Sequence, residues 1–120
     1  DPRCRMVHGD FFRMAAEPQS GFDPDHPGRK WHAVLLDIDH SPEHLLAEGN
    51  HAFYQPDGLQ KLRAQLHPQG IFGLWSDDPP DSGFIAALEE VFGRCDAQVI
   101  PFYNPHRDGE SRSTLYLAGG

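Results

Sequence analysis

The sequence predicts an α/β fold with a mostly parallel sheet, and three observations support this prediction. Short apolar segments over residues 31–38, 71–75 and 98–103 have the length and composition of buried strands. Segments with helical spacing of apolar residues lie between them. The connections are long enough for helical crossovers, which make successive strands parallel. We assign all 120 residues to one domain.

The first predicted elements are a strand, a helix and a loop. Residues 4–8 end at Gly9 and Asp10, as a strand does where it stops at a tight turn. Residues 11–17 have helical spacing. Residues 18–30 contain three prolines and two glycines, so we expect a surface loop or an insertion there.

The middle of the chain carries the strongest strand signal. Residues 33–36 are continuously apolar, as expected of a parallel strand that is covered on both faces. Asp57 can cap a helix over residues 58–66, and the strand over residues 71–75 follows it.

The last part of the chain predicts a helix and two strands. Asp81 or Ser82 can cap a helix over residues 83–92. The strands over residues 98–103 and 113–118 are joined by a loop of about nine residues, which is too short for a crossover. We therefore expect these final strands to form an antiparallel pair.

Charge and composition restrict the partners. Ten Lys plus Arg against eighteen Asp plus Glu give a formal net charge of -8, which repels nucleic-acid phosphates and anionic lipids. No apolar run approaches the roughly 20 residues that span a bilayer. We expect no nucleic acid and no membrane as partners. A cationic small ligand, such as a polyamine or a sulfonium, is compatible with the charge.

The two cysteines give no sign of a disulfide framework or a metal site. Cys4 and Cys95 are far apart in the sequence and are not in metal-ligand spacing. This usage predicts a location in a reducing cytoplasm.

Polar side chains follow three of the predicted strands. Ligands of open parallel sheets bind beyond the carboxyl ends of the strands. Asp10 follows the first strand, Asp37 with Asp39 and His40 follows the second, and residues 76–78 follow the third. This edge of the sheet is therefore the predicted binding site.

Six short motifs occur in order over about the whole chain. They are Asp1-Pro2-Arg3, Gly9-Asp10, Leu35-Leu36-Asp37, Ala52-Phe53-Tyr54, Leu66-His67-Pro68-Gln69-Gly70 and Ile100-Pro101-Phe102-Tyr103. Together they resemble the second half of a spermidine synthase, a polyamine aminopropyltransferase.

The resemblance implies the carboxyl-terminal half of a methyltransferase-like Rossmann fold. Such a domain binds S-adenosylmethionine or decarboxylated S-adenosylmethionine and transfers a group to a small-molecule amine. It implies that Asp10 binds the cofactor through its adenine amino group, that Asp37 is the catalytic base, and that Tyr103 lines the amine pocket. A carboxylate suits this chemistry because an ammonium must lose a proton before its nitrogen has a lone pair.

The chain departs from the family after its central strand. The family motif is Asp, two small hydroxyl residues, Asp and Pro, whereas residues 37–41 read Asp-Ile-Asp-His-Ser. The substrate-binding acidic function is therefore displaced to Asp39 or replaced by His40. A neutral imidazole binds a cationic amine less well than a carboxylate does. The acceptor substrate stays open.

The glycine-rich turn on which cofactor binding in this family depends is not in this sequence. We therefore expect the isolated chain to be an inactive half. The exposed edge of the strand over residues 4–8 would pair in a homodimer or with a missing amino-terminal half. The competing interpretation is a non-catalytic dimerising module of the same fold.

Two further interpretations are open. Residues 35–39 are similar to the start of a haloacid-dehalogenase-type phosphatase, with Asp37 as nucleophile and Asp39 as acid/base around magnesium. Alternatively, Asp37, Asp39, His40 and His44 could hold a divalent ion. Because the residue before a proline avoids helical geometry, Pro42 disfavours a helix that would align the two histidines.

Overall fold

The computed structural model describes residues 3–37, 52–104 and 109–120, which form an α/β fold. Its elements are α1 (Phe11–Ala15), β1 (Trp31–Asp37), α2 (Pro56–Arg63), β2 (Leu66–Ser76), α3 (Ser82–Phe92), β3 (Cys95–Asn104) and β4 (Gly109–Gly119). Among the described helices, none is long and apolar enough to cross a membrane.

The sheet is mixed, with strand order β1-β2-β4-β3. β1 and β2 are parallel, whereas β4 is antiparallel to both β2 and β3. Three strands thus run in one direction, which agrees with a mostly parallel sheet, but only one neighbouring pair is parallel. The predicted antiparallel final pair is confirmed. β4 separates β2 from β3 because the chain folds back after β3 and inserts its last strand between them.

The strand predicted over residues 4–8 is wrong. These five residues form no strand, and all of them are exposed. A strand needs a neighbour that takes up its backbone hydrogen bonds. This segment is held instead by a side chain, since the Arg5 guanidinium lies 2.7 Å from Asp23 and 3.0 Å from Asp25. The dimer edge proposed for residues 4–8 therefore has no strand to form it.

Residues 18–30 contain neither helix nor strand, as predicted for a loop. Asp23 in this loop is buried and binds Arg5, His26 Nδ1 at 3.1 Å and Arg29 Nη1 at 3.2 Å. The hydrogen bond from Arg5 is the main cause that holds the pKa of Asp23 well below its ordinary value. The backbone N–H of Asp25, the hydrogen bond with His26 and the charge of Arg5 lower it further, and desolvation opposes them.

Helices α2 and α3 cover one face of the sheet. The core between these layers is formed by fully buried side chains from both of them. They include Phe72, Leu74 and Tyr116 from the sheet and Leu59, Leu62 and Leu88 from the helices. Full burial of one Leu or Phe side chain contributes about 1.5–3 kcal/mol. This covered face is therefore the main source of stability.

The amino-terminal cap of α3 is one of the two residues that the sequence predicted. Asp81 is the cap, and its side chain accepts hydrogen bonds from the backbone N–H groups of Gly83 and Phe84 at 2.9 and 3.2 Å. The helix ends at Gly93, whose φ of 77° lies in the left-handed region that glycine tolerates.

Helix α2 begins earlier than predicted. Its cap is Gln55 rather than Asp57, and Pro56 occupies the first helical turn. Proline suits this position because its fixed φ is already helical and no hydrogen bond is lost. Asp57 lies within the first turn, where a carboxylate favours the helix dipole.

Candidate functional site

Asp37 lies at the edge of the sheet where the parallel strands β1 and β2 end. We call this edge the carboxyl edge, and it contains Asp37, Trp75 and Ser76. Asp37 is exposed and is paired in register with Trp75. This is the edge at which open α/β sheets bind ligands. The carboxylate is therefore accessible, and its catalytic role stays a prediction.

Asp10 caps helix α1 instead of following a strand. Its Oδ1 accepts hydrogen bonds from the backbone N–H groups of Phe12 at 3.0 Å and Arg13 at 3.5 Å. Helix α1 packs on the helical face of the molecule, since the Phe12 ring lies 5.5 Å from the ring of Phe53. Asp10 is exposed, and its cofactor-binding role stays a prediction.

Tyr103 lies far from Asp37 on the sheet. Asp37, Trp75, Leu115 and Gln98 form one row across the four strands. Three strand spacings, about 14 Å, separate β1 from β3 in this row. Tyr103 lies five residues beyond Gln98, a further distance of about 16 Å along β3. Its side chain is 75% exposed, and the structure does not bring it next to Asp37.

Asp39 and His40, predicted to bind the substrate, lie outside the described residues. His44 of the alternative metal site does so as well. Within residues 3–37, 52–104 and 109–120, no group of three or more His, Cys, Asp or Glu side chains could hold a metal ion.

A cavity of about 360 Å³ lies between α1 and the start of α2, and the sequence did not predict it. Its volume is in the range of small-molecule sites. It is lined by Phe12, Ala16, Ala52, Phe53, Gln55, Asp57, Gly58 and Lys61. Two pairs of lining residues have i,i+4 spacing, which places both members of a pair on one side of a helix. They are Phe12 with Ala16 and Asp57 with Lys61. This spacing is the sequence signal that could have indicated the cavity.

Tyr54 is buried beside this cavity. Its ring lies 5.1 Å from that of Phe53, 5.5 Å from that of Phe84 and 6.1 Å from that of Phe12. Within the described part of the chain, its buried hydroxyl has no hydrogen-bond partner. Burial raises the pKa of this hydroxyl. An unpartnered buried hydroxyl is rare in native proteins.

Comparison with solved structures identifies the fold. Human methyltransferase-like protein 13 in complex with SAH superposes on this chain with a TM-score of 0.66 at 20% sequence identity. The match covers 97% of this chain and 49% of that one. The chain has a methyltransferase-like fold. It spans about half the length of the structure that it matches.

The methyltransferase-like fold is the part of the predicted resemblance that the comparisons confirm. No protein-family model and no curated protein matches the chain. The finer resemblance to spermidine synthase therefore rests on the sequence motifs alone.

The polar residues that follow β2 stabilise a loop of the methyltransferase-like fold. The buried Ser76 hydroxyl accepts a hydrogen bond from Asp78 N at 3.2 Å, and Thr114 Oγ1 donates to the Asp78 carbonyl at 2.7 Å. Tyr116 Oη accepts from Asp81 N at 3.0 Å. The hydrogen bonds of Thr114 and Tyr116 hold the loop between β2 and α3 against β4. Asp77 is the exposed carboxylate of this group.

Proposed function

We propose that this chain is half of a transferase domain that binds an adenosyl sulfonium compound. S-adenosylmethionine and decarboxylated S-adenosylmethionine are the two candidates. The observation that carries the proposal is the match, over 97% of the chain, to a methyltransferase-like structure that contains SAH. This match gives no support to the phosphatase alternative.

Two features of the described residues suit the binding of such a ligand. An exposed carboxylate, Asp37, lies at the carboxyl edge, and an aromatic-walled cavity lies beside α1. The glycine-rich turn is not in this sequence. In this proposal the isolated chain has no catalytic activity, and the glycine-rich turn comes from another segment.

The specific activity that we propose is transfer to an amine, as in the aminopropyltransferases. When bound, the sulfonium compound would supply an electrophilic carbon, so that the amine nitrogen bonds to this carbon while its bond to sulfur breaks and a neutral thioether leaves. Asp37 attracts the ammonium and accepts the proton that must leave it. Asp10 binds the adenine amino group, and Asp39 or His40 contacts the amine, whereas Tyr103 lies too far from Asp37 to contact the same amine. A cytoplasmic location belongs to the same proposal, and both cysteines are free thiols.

Calorimetric titration of SAH into the assembled domain, which includes the half with the glycine-rich turn, tests the proposal. We expect saturable heat from the wild-type assembled domain and a large loss of binding in Asp10→Ser. Serine preserves the cap of α1, because Ser and Asp are comparable caps. A loss of binding in this variant therefore reports contact with the ligand and not an unfolded helix. No heat from the wild-type assembled domain would favour the non-catalytic dimerising module.

Asp37→Asn separates binding from transfer. In the assembled domain we expect transfer to an amine to fall by about 100-fold or more, the usual range for loss of a general base, while SAH binding persists. Asp77→Asn is the matched control, since Asp77 is an exposed carboxylate that also follows a strand at this edge. Equal losses in the two variants would contradict a catalytic role for Asp37.

A further inference from the structure

Two histidines from neighbouring strands lie against each other where the parallel pair β1 and β2 begins. The ring centroids of His32 in β1 and His67 in β2 are 4.3 Å apart, and the ring planes are tilted by 39°. His32 is exposed and His67 is half-buried. Both imidazoles are therefore accessible to an ion from solvent.

An irregularity in the strand register brings the two rings together. Trp31 pairs with Leu66 and Ala33 pairs with Ile71, so β1 has one residue, His32, between these pairs, whereas β2 has four, residues 67–70. We call residues 67–70 the β2 bulge. Bulges change the direction of side chains and are frequent next to functional sites. Regular pairing would leave no such excess of residues opposite His32.

Backbone contacts hold the β2 bulge in place. The Trp31 N–H donates a hydrogen bond to the Gln65 carbonyl at 2.8 Å, and the Gly120 N–H donates to the Gly70 carbonyl at 3.3 Å. A Cβ at Gly70 would lie 2.9 Å from Leu66 Cβ and 3.2 Å from the Trp31 carbonyl oxygen. Only glycine allows so close an approach. The backbone therefore fixes the place of the bulge beside β1.

The separation of the two rings suits a shared metal ion. Neutral imidazole is the commonest metal ligand in proteins. Two imidazoles on one ion have ring centroids about 4.5–5 Å apart, because each nitrogen lies about 2.0–2.1 Å from the ion and tetrahedral ligands diverge by about 109°. The pair at 4.3 Å is slightly closer. A small rotation of the exposed His32 side chain gives the required geometry.

We propose that His32 and His67 together bind one divalent transition-metal ion. Zn²⁺, Ni²⁺ and Cu²⁺ favour imidazole, whereas Mg²⁺ and Ca²⁺ favour oxygen ligands. Within the described part of the chain, no third His, Cys, Asp or Glu joins the pair. Water therefore completes the coordination. A cavity of about 150 Å³ borders His67 and has room for it.

The proposed ion is bound reversibly. Arg63 lines the same cavity as His67, and its guanidinium donates to the carbonyl of Val91. Its positive charge opposes a cation nearby. With two protein ligands and this charge, the site is weaker than a structural zinc site with four protein ligands.

The metal site is separate from the carboxyl edge. His32 precedes Asp37 by five residues along β1, a distance of about 16 Å. The inference is therefore independent of the adenosyl ligand. His32 and His67 are also far apart in the sequence, so folding brings them together. An ion that binds both connects β1 to β2 and stabilises the folded chain.

Titration of Ni²⁺ into the chain, produced without a histidine tag and followed by calorimetry, tests the proposal. We expect a saturable site in the wild type. His32→Gln and His67→Gln should each weaken it by at least about tenfold, because even loss of an outer partner of a metal ligand costs about 10–100-fold. His8→Gln is the matched control, since His8 is an exposed histidine of the segment before α1, and it should not change binding.

Two further measurements separate a shared ion from independent binding by single histidines. The double variant His32→Gln with His67→Gln should bind about as weakly as either single variant, because each single change already removes the chelate. In the wild type, Zn²⁺ below one equivalent should shift the imidazole NMR signals of His32 and His67 together. This second measurement does not depend on the folding of any variant.

Three results would overturn the inference. Absence of Ni²⁺ binding and of Zn²⁺-induced shifts at millimolar metal would leave the two rings as a stacked pair only. Unchanged affinity in His32→Gln would mean that His32 is not a ligand. An equal loss in His8→Gln would indicate unspecific binding by exposed histidines.

Discussion

Arg5 Nη2 lies 2.7 Å from Asp23 Oδ1, and this contact joins the amino-terminal segment to the loop over residues 18–30. Asp23 is only 1% exposed, while Arg5 is 45% exposed. A buried carboxylate is tolerated when charged and hydrogen-bonding partners surround it. The segment before α1 is thus held by one ion-pair cluster and not by the sheet.

We expect Asp23→Asn to lower stability at neutral pH, with a difference that closes in acid. Because the pKa of Asp23 is depressed in the folded protein, its contribution is fully present above the unfolded value of about 3.9. It is lost as pH falls from there toward the folded pKa. Urea unfolding of both proteins between pH 7 and pH 3 measures this. Asp25→Asn, at a 72% exposed side chain, should have a smaller effect.

A difference between wild type and Asp23→Asn that stays constant down to pH 3 would contradict this assignment. It would mean that the variant acts through packing and not through the charge of Asp23.

Gly58→Ala should destabilise the protein, although alanine normally favours a helix by about 1 kcal/mol. A Cβ at this position would collide with the carbonyl of Ala52 and would lie 2.7 Å from Phe53 Cα. Overpacking against backbone costs about 1–3 kcal/mol. Thermal unfolding followed by circular dichroism measures the change. Gln60→Ala, at an exposed position of the same helix, should be nearly neutral, and a stabilised Gly58→Ala would show that the close approach is absent.

Tyr54→Phe should change stability by less than about 1 kcal/mol, because the hydroxyl that it removes has no partner among the described residues. Tyr116→Phe is the contrast. It removes the acceptor of the hydrogen bond from Asp81 N and should cost about 1–3 kcal/mol. Chemical denaturation of both variants measures the difference. Equal losses would indicate that Tyr54 has a partner in the folded protein.

Alkylation should distinguish the two thiols. Burial, with the nearby charges of Glu89 and Asp96, raises the pKa of Cys95 to about 11. At pH 8 about one in a thousand Cys95 thiols is therefore ionised, and the thiolate is the reactive form. Cys4 is exposed, so iodoacetamide should modify it first. Peptide mass spectrometry measures both rates, and faster modification of Cys95 would contradict its burial.

The sequence predicted those elements whose signals are local. The apolar run of β1 and the Asp81 cap of α3 depend on neighbouring residues only. The segment over residues 4–8 resembles a strand locally, but no neighbouring strand is there to pair with it. The second strand was predicted over residues 71–75, whereas β2 begins at Leu66 and includes residues 68–70. The register shifts between the pairs Trp31–Leu66 and Ala33–Ile71, which accommodates the extra residues.

The sequence predicted those site residues that come directly after a strand. Asp37 is at the carboxyl edge because it follows an apolar strand directly. The separation of Tyr103 from Asp37 depends on the insertion of β4 between β2 and β3, which no local pattern indicates. The cavity beside Phe12 likewise depends on how α1 packs against α2. Such tertiary placements cannot be read from spacing along the chain.

Pro101 in β3 also limits how this molecule can assemble. Sheets with two unprotected edges can grow into open-ended filaments, because every added chain presents a new template to the next. Among the described strands, β1 and β3 are the edges of the sheet, and only β3 has a proline within the strand. Addition of a strand at β3 is therefore disfavoured, and so is open-ended stacking of chains through both edges.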